Sequence, residues 1–303
     1  MTAPVTAVVL SWNGKEDTLA CLRSLEAATY PELSIVAVDN NSHDGSPEAV
    51  AAAFPRAHVV RLDENRGFAG GVNVGIEAAI DAGAAYVFLL NNDATAEAGS
   101  LEPLVEALDQ RPTAAAACSQ IVFLDRPDVI WYAGASFRRR RGYHGRNHGY
   151  GKPRLPPETT PYETDRACGG AMLIRSTALG ELGGFDDALF AYAEDTDWSL
   201  RAASRGASVL VVPASVVRHA VSSSSGGASS PDPIYYGLRN GLVVAERWAP
   251  LGAVRTWLRR LEAVAASLAQ AAASGNVRPG IRAVRDGWRD FRASRLGPRR
   301  RAA

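Results

Sequence analysis

Short apolar runs alternate with amphipathic segments over the first third of the chain. Apolar, β-branched runs predict strands at residues 5–11, 33–38, 58–62 and 86–90. Apolar side chains at helical spacing predict helices between them, at residues 15–28, 47–53 and 70–82. Strands that alternate with helices of this length indicate right-handed βαβ units. We therefore expect an α/β fold, with a Rossmann-like, mainly parallel sheet and helices on both of its faces.

After residue 112 the pattern changes to isolated strands, predicted at residues 115–123, 171–174 and 209–212. Residues 138–161 contain four consecutive arginines with Gly, His, Tyr and Pro, a composition that predicts a loop that is mobile until a ligand binds. From residue 233 the sequence is helical, with breaks expected near Pro250 and Pro279. This region carries an apolar stripe beside arginines, formed by Trp257, Leu258, Leu261, Val264 and Leu268.

Composition narrows the classes of protein to which the chain can belong. It has 303 residues and is 47% hydrophobic, enough to bury a full core. The three cysteines lie far apart without metal-ligand spacing, so we expect reduced, buried thiols. We find neither a signal-type segment nor an apolar run of roughly 18 residues, the length of a membrane span. These observations predict a cytoplasmic protein.

Charge is divided unevenly along the chain. The net charge is +1, yet residues 253–303 contain twelve arginines and only three acidic residues. One explanation of this distribution is a basic appendage that meets an anionic surface or acceptor, such as the inner face of the plasma membrane. A solvated helical face is an equally good explanation, and the apolar stripe is also compatible with a homo-oligomer. No nucleic-acid recognition motif accompanies the charge.

Polar side chains cluster where the first three predicted strands end, which is where open α/β sheets bind ligands. Ser11 and Asn13 follow the first strand, and Asp39 and Asn41 follow the second. Such carboxylates and amides can hydrogen-bond a pyrimidine base and a ribose, although an Asx-turn would use the same residues. After the third strand come Asn65, Gly67 and, inside the next helix, Asn73. A glycine-rich helix N-terminus favours an anion such as a diphosphate.

The fourth predicted strand runs directly into Asn91, Asn92 and Asp93. One carboxylate with amide oxygens suits Mg²⁺ or Mn²⁺, which bind few protein ligands and keep substrate phosphates as the others. A helix cap is the structural alternative. His219, expected just past the strand at 209–212, could complete a metal site, although a lone histidine is more often structural.

Three acidic residues open a predicted helix near residue 194, namely Glu194, Asp195 and Asp197. Acids are favoured in the first turn of a helix, but three exceed what capping requires. One of these carboxylates can remove a proton from a hydroxyl group.

The order of these motifs resembles the family 2 glycosyltransferases, especially their bacterial rhamnosyltransferase-like branch. The matching segments are VVLSWN at 8–13, VDNNSHDGS at 38–46, ENRGFAGGVN at 64–73, LLNND at 89–93, GGAMLIR at 169–175 and AEDTDWSLR at 193–201. The resemblance covers about residues 4–245. It implies a GT-A fold, a nucleotide-diphospho-sugar donor, a divalent cation and inversion at the anomeric carbon.

The resemblance also implies roles for individual residues. Asp39 matches the base-binding aspartate, and Asp93 matches the last carboxylate of the DxD metal motif. Asp195 matches the catalytic base, with Glu194 beside it as an acceptor contact or as a residue that orients the base, and His219 matches a further metal ligand of some members. The segment at 91–93 departs from DxD, since only one of its residues is acidic. We assign the nucleotide-sugar contacts to Ser11, Asn13, Asp39, Asn41, Asn65, Gly67, Asn73 and Asn92.

We therefore expect an inverting glycosyltransferase of residues 1–245, with a nucleotide-binding half at 1–110 and an acceptor-side half at 111–245. Residues 246–303 are expected to form a basic helical extension. The branch suggests a rhamnosyl donor linked to dTDP or UDP and a saccharide or lipid-linked acceptor. The alternatives are a sugar-phosphate nucleotidyltransferase and a non-catalytic polysaccharide- or membrane-binding module. The segment Ser11–Gly14 lacks the basic, glycine-rich loop that a nucleotidyltransferase would need after its first strand.

Overall fold

The computed structural model describes residues 2–137, 145–220 and 230–300. Its strands are β1 (Val5–Ser11), β2 (Leu33–Asp39), β3 (His58–Arg61), β4 (Tyr86–Asn91), β5 (Ala94–Ala96), β6 (Ala114–Phe123), β7 (Ile130–Tyr132), β8 (Ala135–Phe137), β9 (Gly145–Asn147), β10 (Tyr162–Thr164), β11 (Ala171–Arg175) and β12 (Ser208–His219). Its helices are α1 (Lys15–Glu26), α2 (Ser46–Ala53), α3 (Gly67–Asp81), α4 (Leu101–Asp109), α5 (Ser176–Leu182), α6 (Glu194–Ser204), α7 (Asp232–Trp248), α8 (Ala253–Ala273) and α9 (Val277–Arg292).

One large sheet organises the described part of the chain, with strand order β10-β12-β6-β11-β4-β1-β2-β3. The strands β4, β1, β2 and β3 are parallel, as the alternating pattern predicts. The other half is mixed, because β11 runs antiparallel to both β4 and β6. The α/β class and the mainly parallel first half are therefore confirmed.

Register aligns the carboxyl ends of the central strands. Ser11 at the end of β1 lies opposite Asp39 at the end of β2, and Leu10 lies opposite Asn91 at the end of β4. Each of these strands is largely buried, which accounts for its continuous apolar run. The polar residues that follow the strands therefore collect along one edge of the sheet.

The strand predicted at 209–212 is too short. β12 extends to His219, with an irregular register against β6 between Val212 and Val216. Pro213 lies within this irregular stretch, so the pairing resumes beyond it rather than stopping there. His219 consequently ends a strand and does not begin a loop.

Other boundaries also differ from the prediction. The segment 138–161 is not wholly a loop, because Gly145–Asn147 forms β9 and pairs with β8. Residues 138–144 of this segment lie outside the described residues. α3 begins at Gly67, three residues early, so Asn73 lies in its second turn. Pro279 falls in the first turn of α9, where proline is tolerated, and the helix break precedes it.

Helices α7, α8 and α9 share a second apolar core. Its buried members come from all three helices, including Tyr235 of α7, Ala263 of α8 and Val284 of α9. The division expected after residue 245 falls within α7, which extends to Trp248. No helix in the described ranges is long and apolar enough to cross a membrane. All three cysteines are free and buried, as predicted, and burial raises the pKa of each thiol above its usual value.

Candidate active site

A small pocket opens at the ends of β1 and β2, beside Asp39. The Oδ2 atom of Asp39 accepts a hydrogen bond from the Ser42 amide at 3.2 Å. Its Oδ1 atom is buried and has no hydrogen-bond partner among the described residues. The walls are mainly apolar and are formed by Ala37, Val38, Pro47, Val50 and Val59. Apolar walls can contact the flat face of a base, and the free acceptor oxygen can accept a hydrogen bond from its N–H edge.

Ser11 and Asn92, both predicted to contact a nucleotide sugar, join one buried network. Ser11 Oγ lies 2.8 Å from Thr18 Oγ1, and Asn92 Nδ2 donates to the same oxygen at 3.2 Å. Asn13 closes the rim of the cleft, because its Oδ1 accepts from the His43 amide at 2.8 Å. Asn13 and Asn41 both adopt left-handed backbone conformations, with φ of 50° and 65°. The ends of β1, β2 and β4 are thus cross-linked around the cleft.

Asn65 and Gly67 form a braced turn before α3. Asn65 Oδ1 accepts from the Gly67 amide at 2.8 Å and from Asn40 Nδ2 at 3.1 Å. Asn40, which the sequence analysis did not select, also holds this turn through the Gly67 carbonyl and the Arg66 amide. Its position directly after Asp39 in the motif at 38–46 was the available signal. These contacts fix the glycine backbone, which packs against Phe190.

Asn73 is held by the opposite half of the chain. Its Oδ1 accepts from the Phe185 amide and its Nδ2 donates to the Phe185 carbonyl, both at 2.8 Å. Its Nδ2 also contacts the Asp187 carboxylate. The side chain is therefore engaged in joining α3 to the segment that leads to α6.

Asp93 and His219 meet at the ends of β4 and β12. His219 Nε2 lies 2.9 Å from Asp93 Oδ1, and both side chains are buried. Asn91 Nδ2 lies 3.5 Å from the same histidine nitrogen. The Asn91 Oδ1 atom is buried and has no hydrogen-bond partner among the described residues. Asn91 is thus the amide that lies beside His219 and Asp93, whereas Asn92, the amide of this segment assigned to the nucleotide sugar, hydrogen-bonds Thr18.

These atoms fit a divalent cation. A carboxylate, an imidazole and an unsatisfied amide oxygen are donors that Mn²⁺ and Mg²⁺ accept. No group of three His, Cys, Asp or Glu residues gathers anywhere in the described ranges. A cation here would therefore have few protein ligands and would keep positions for the oxygens of a substrate.

Glu194 and Asp195 are the first two residues of α6, as predicted, and the two carboxyl groups have different neighbours. Arg166 Nε lies 3.9 Å from Asp195 Oδ2, and the guanidinium stacks on the Tyr132 ring. Burial alone lowers the pKa of Arg166, whereas the Asp195 carboxylate raises it, with a net increase. Burial, together with the charge of Asp195, raises the pKa of the Glu194 carboxyl to about 8. One acid is thus paired with a cation while its neighbour is stabilised in the protonated form.

The segment before α6 has an unusual backbone. Phe190, Tyr192 and Ala193 all have positive φ, between 66° and 71°, a conformation that costs free energy for residues other than glycine. Asn240 of α7 compensates, because its Nδ2 donates to the carbonyl oxygens of Tyr192, Ala191 and Leu189 at 2.7–2.9 Å. The position of Asp195 therefore depends on a helix that begins 37 residues further along the chain.

Asp197, the third acid of the motif, is structural. Its carboxylate is fully buried and binds Arg201 at 2.8 Å, Arg247 at 2.7 Å and the Trp248 indole N–H at 2.8 Å. These contacts join α6 to α7. Of the three acids near residue 194, Asp197 therefore stabilises the packing of α6 on α7, whereas Glu194 and Asp195 are the candidates for chemistry.

Gly169 and Gly170 lie between the candidate cation site at the end of β4 and the candidate base Asp195 at the start of α6. The Gly170 carbonyl accepts from the Asn91 amide at 3.1 Å, and the Gly169 amide lies 3.4 Å from Asp195 Oδ2. A Cβ on Gly170 would lie 3.3 Å from Asn91 Nδ2, and one on Gly169 would lie 3.6 Å from Asp195 Cβ. The end of β4 and the start of α6 thus lie on either side of a single dipeptide.

Comparison with known proteins identifies the family of the chain. The family model for glycosyl transferase family 2 matches residues 6–183. The N-acetylglucosaminyl-diphospho-decaprenol L-rhamnosyltransferase of Mycobacterium tuberculosis is 30% identical over 246 residues, which are 75% of this chain and 79% of that protein. The dTDP-rhamnosyl transferase RfbF of Shigella flexneri is 22% identical over 254 residues, 82% of this chain and 81% of that protein.

The fold is also similar to that of a solved structure. GalNAc-T7, crystallised with UDP, GalNAc and Mn²⁺, aligns with a TM-score of 0.59 and 17% identity over 86% of this chain. The aligned region spans 54% of the GalNAc-T7 chain, about half of its length. This likeness establishes the GT-A fold.

Proposed function

The chain belongs to glycosyl transferase family 2, and from that premise we propose that it transfers a sugar from a nucleotide-diphospho-sugar to a hydroxyl acceptor with inversion of configuration. The observation that carries this proposal is the Gly169–Gly170 dipeptide, which joins Asn91 on one side to Asp195 on the other. An inverting displacement needs two such centres, one for the leaving group and one for the incoming oxygen.

On the donor side, Asp39 is the acceptor for a base N–H, because its Oδ1 is buried and unsatisfied. Ser11, Asn13, Asn41 and Asn92 form the cross-linked rim around the nucleoside. Gly67 and Asn65 shape the turn at the start of α3, whose positive dipole favours an anion nearby, although the Gly67 and Ala69 amides are already hydrogen-bonded to Asn65 and Phe190. Asn73 acts indirectly, since its hydrogen bonds to Phe185 hold the far wall of the cleft.

Asp93, His219 and Asn91 would hold the divalent cation, either Mg²⁺ or Mn²⁺. When bound, it supplies positive charge to the diphosphate as the bond to the sugar breaks. The leaving group departs as a nucleoside diphosphate, and the sugar is taken by the acceptor oxygen.

On the acceptor side, the Asp195 carboxylate takes the proton of the attacking hydroxyl group. Arg166 positions that carboxylate through the 3.9 Å ion pair. Glu194, held protonated, can donate a hydrogen bond to the acceptor or to the sugar. No second carboxylate is assigned to form a covalent intermediate, which is why a single displacement with inversion is proposed.

For the donor we propose a deoxyhexose, with rhamnose on dTDP as the first candidate and UDP as the alternative carrier. The support comes from the two relatives named as rhamnosyltransferases. A saccharide linked to a lipid diphosphate is the first candidate for the acceptor, by analogy with the mycobacterial relative. The cytoplasmic location predicted from the sequence stays part of this proposal.

The test is a panel of dTDP-, UDP- and GDP-linked sugars, each with Mn²⁺, Mg²⁺ or a chelator. A donor that binds only the folded state raises the melting temperature, and we expect this effect to require the cation. The stabilising donor should then give a product with the opposite anomeric configuration, detected by NMR. Absence of stabilisation by every nucleotide sugar, or a retained anomeric configuration, would overturn the proposal.

A further inference from the structure

Helix α8 carries its large apolar side chains on its exposed side. Its buried residues are Arg259, Ala263, Ser267 and Ala271, which repeat every four positions and face α7 and α9. The exposed residues form what we call the outer stripe: Val254, Trp257, Leu258, Leu261 and Leu268. Trp257 is 59% exposed and Val254 is 73% exposed. A surface helix normally shows the opposite arrangement, with the larger apolar residues facing the core.

The outer stripe is continuous along the helix. Its members are spaced by three, four or seven positions, apart from the adjacent pair Trp257 and Leu258, so they lie within one face of α8. Helix α9, which packs on α8, adds exposed Val277 and Ile281. Scattered apolar residues on a surface need no explanation, but a contiguous set does.

The charge around the outer stripe is positive. Arg255 on α8 and Arg278, Arg282 and Arg292 on α9 are exposed, and within the described ranges none of them makes an ion pair with a carboxylate. Residues 253–303 contain three acids, of which Glu262 on α8 is exposed and leaves the positive charge in excess, while the other two are used internally. Asp286 binds Arg299 and Asp290 binds Tyr235, and both carboxylates are buried. The exposed side of the α8–α9 hairpin is therefore apolar and cationic together.

We propose that this face docks on an anionic lipid surface, with the outer stripe at the level of the acyl chains and the arginines among the headgroups. An exposed tryptophan with leucines, flanked by unpaired arginines, has the composition of helices that lie in a membrane interface. A second copy of the chain fits less well. In a two-fold interface the same patch meets itself, so two surfaces with the same excess of positive charge would be brought together. That this docking serves a lipid-linked acceptor rests on the proposed function.

The experiment uses the full chain, because removing α8 and α9 would expose the core that they share with α7. Flotation is measured with vesicles of phosphatidylglycerol mixed with phosphatidylcholine and with vesicles of phosphatidylcholine alone. We expect binding to the anionic vesicles only, weakened by added salt. No nucleotide sugar is present, so failure of the proposed function cannot affect this measurement.

Two sets of variants locate the surface. Trp257→Ser with Leu261→Ser should weaken vesicle binding about tenfold or more, whereas Ile80→Ser with Leu124→Ser, also exposed but on the glycosyltransferase domain, should not. Arg255→Gln, Arg278→Gln and Arg282→Gln should cost about fivefold each. Arg23→Gln, Arg56→Gln and Arg205→Gln remove the same charge from other exposed positions and should leave binding unchanged.

Three results would overturn the inference. The first is absence of binding to anionic vesicles, and the second is vesicle binding by the Trp257 and Leu261 double variant as strong as that of wild type. The third is a loss of binding in the control variants as large as in the variants of α8 and α9. Sedimentation velocity without vesicles tests the second-copy alternative. If the wild-type protein does not float with vesicles but forms a dimer, and the double variant is monomeric, the face would be assigned to self-association instead.

Discussion

The side-chain amide of Asn240 donates a hydrogen bond to the carbonyl oxygen of Tyr192 at 2.9 Å. This contact ties α7 to the left-handed backbone that leads into Glu194 and Asp195. Because α7 also shares a core with α8 and α9, the same helix supports both the candidate base and the proposed membrane face. The C-terminal helices are therefore part of the active-site scaffold rather than an independent appendage.

Asn240→Ala should weaken this support. The carbonyl oxygens of Ala191 and Tyr192 lose this donor, whereas that of Leu189 keeps the Arg239 guanidinium and the Ala191 amide. We therefore expect the free energy of unfolding to fall by about 1–3 kcal/mol, together with a lower transfer rate. Urea unfolding measures the first effect, and Gln270→Ala, an exposed amide on α8, is the control. Equal stability of the two variants would mean that the 190–193 backbone does not depend on Asn240.

Gly67→Ala should be strongly destabilising. Gly67 has a φ of +71°, and a Cβ would lie 2.3 Å from the Phe190 carbonyl oxygen, so the backbone before α6 would have to move. We expect a loss of about 2–4 kcal/mol from strain and overpacking together. Gly83→Ala is the matched control, because Gly83 has a φ of +84° and open space around it. It should cost only about 1 kcal/mol in thermal or urea unfolding, and an equal cost at both positions would contradict the close packing.

Asp195→Asn should abolish transfer without loss of donor binding. Removal of a general base typically lowers the rate about 10²–10⁴-fold. Asp197→Asn provides the contrast, since it breaks buried ion pairs to Arg201 and Arg247 and should cost about 3–5 kcal/mol of stability. Turnover and unfolding are measured for both variants. Normal turnover in Asp195→Asn would place the base elsewhere.

Glu194 should make stability depend on pH. Its pKa is about 8 in the folded protein against a usual value of 4.5, so between these values the folded state holds a proton that the unfolded state has lost. This contribution is fully present below about pH 4.5, falls as the pH rises, and is gone above about pH 8.

Glu194→Gln removes this dependence. The variant should gain stability relative to wild type as the pH is raised from 5 to 9, by up to about 4 kcal/mol. Urea unfolding across this pH range is the measurement, with Glu163→Gln on the exposed part of β10 as control. Parallel stability profiles for wild type and Glu194→Gln would show that Glu194 is ionised in the folded state.

Asp93→Ala should remove the response to a divalent cation. Loss of the buried carboxylate beside His219 takes away the charged donor at this point, so Mn²⁺ should no longer enhance thermal stabilisation by a nucleoside diphosphate. Asp125→Ala, an exposed acid, should retain the wild-type response. An undiminished cation response in Asp93→Ala would place the metal elsewhere.

The local pattern of residues determined much of this protein. The alternation of apolar runs and amphipathic segments predicted the parallel half of the sheet, since periodicity is set by neighbours within a few residues. The polar residues after each strand then had to lie at one edge, because parallel strands end on the same side. Strand-end reasoning of this kind singled out Asp39 and Asp93, whereas the choice of Asp195 and the family came from the resemblance of the motifs in their order along the chain.

Only the tertiary structure decided which distant groups meet. The length of β12 brings His219 to Asp93, and the packing of α7 brings Asn240 to Tyr192; both contacts join residues far apart in the sequence. Periodicity located the apolar stripe on α8, but it could not state which side of the helix would be covered. That outcome depends on the packing of α8 against α7 and α9, where small residues face the core and the large apolar residues are left exposed.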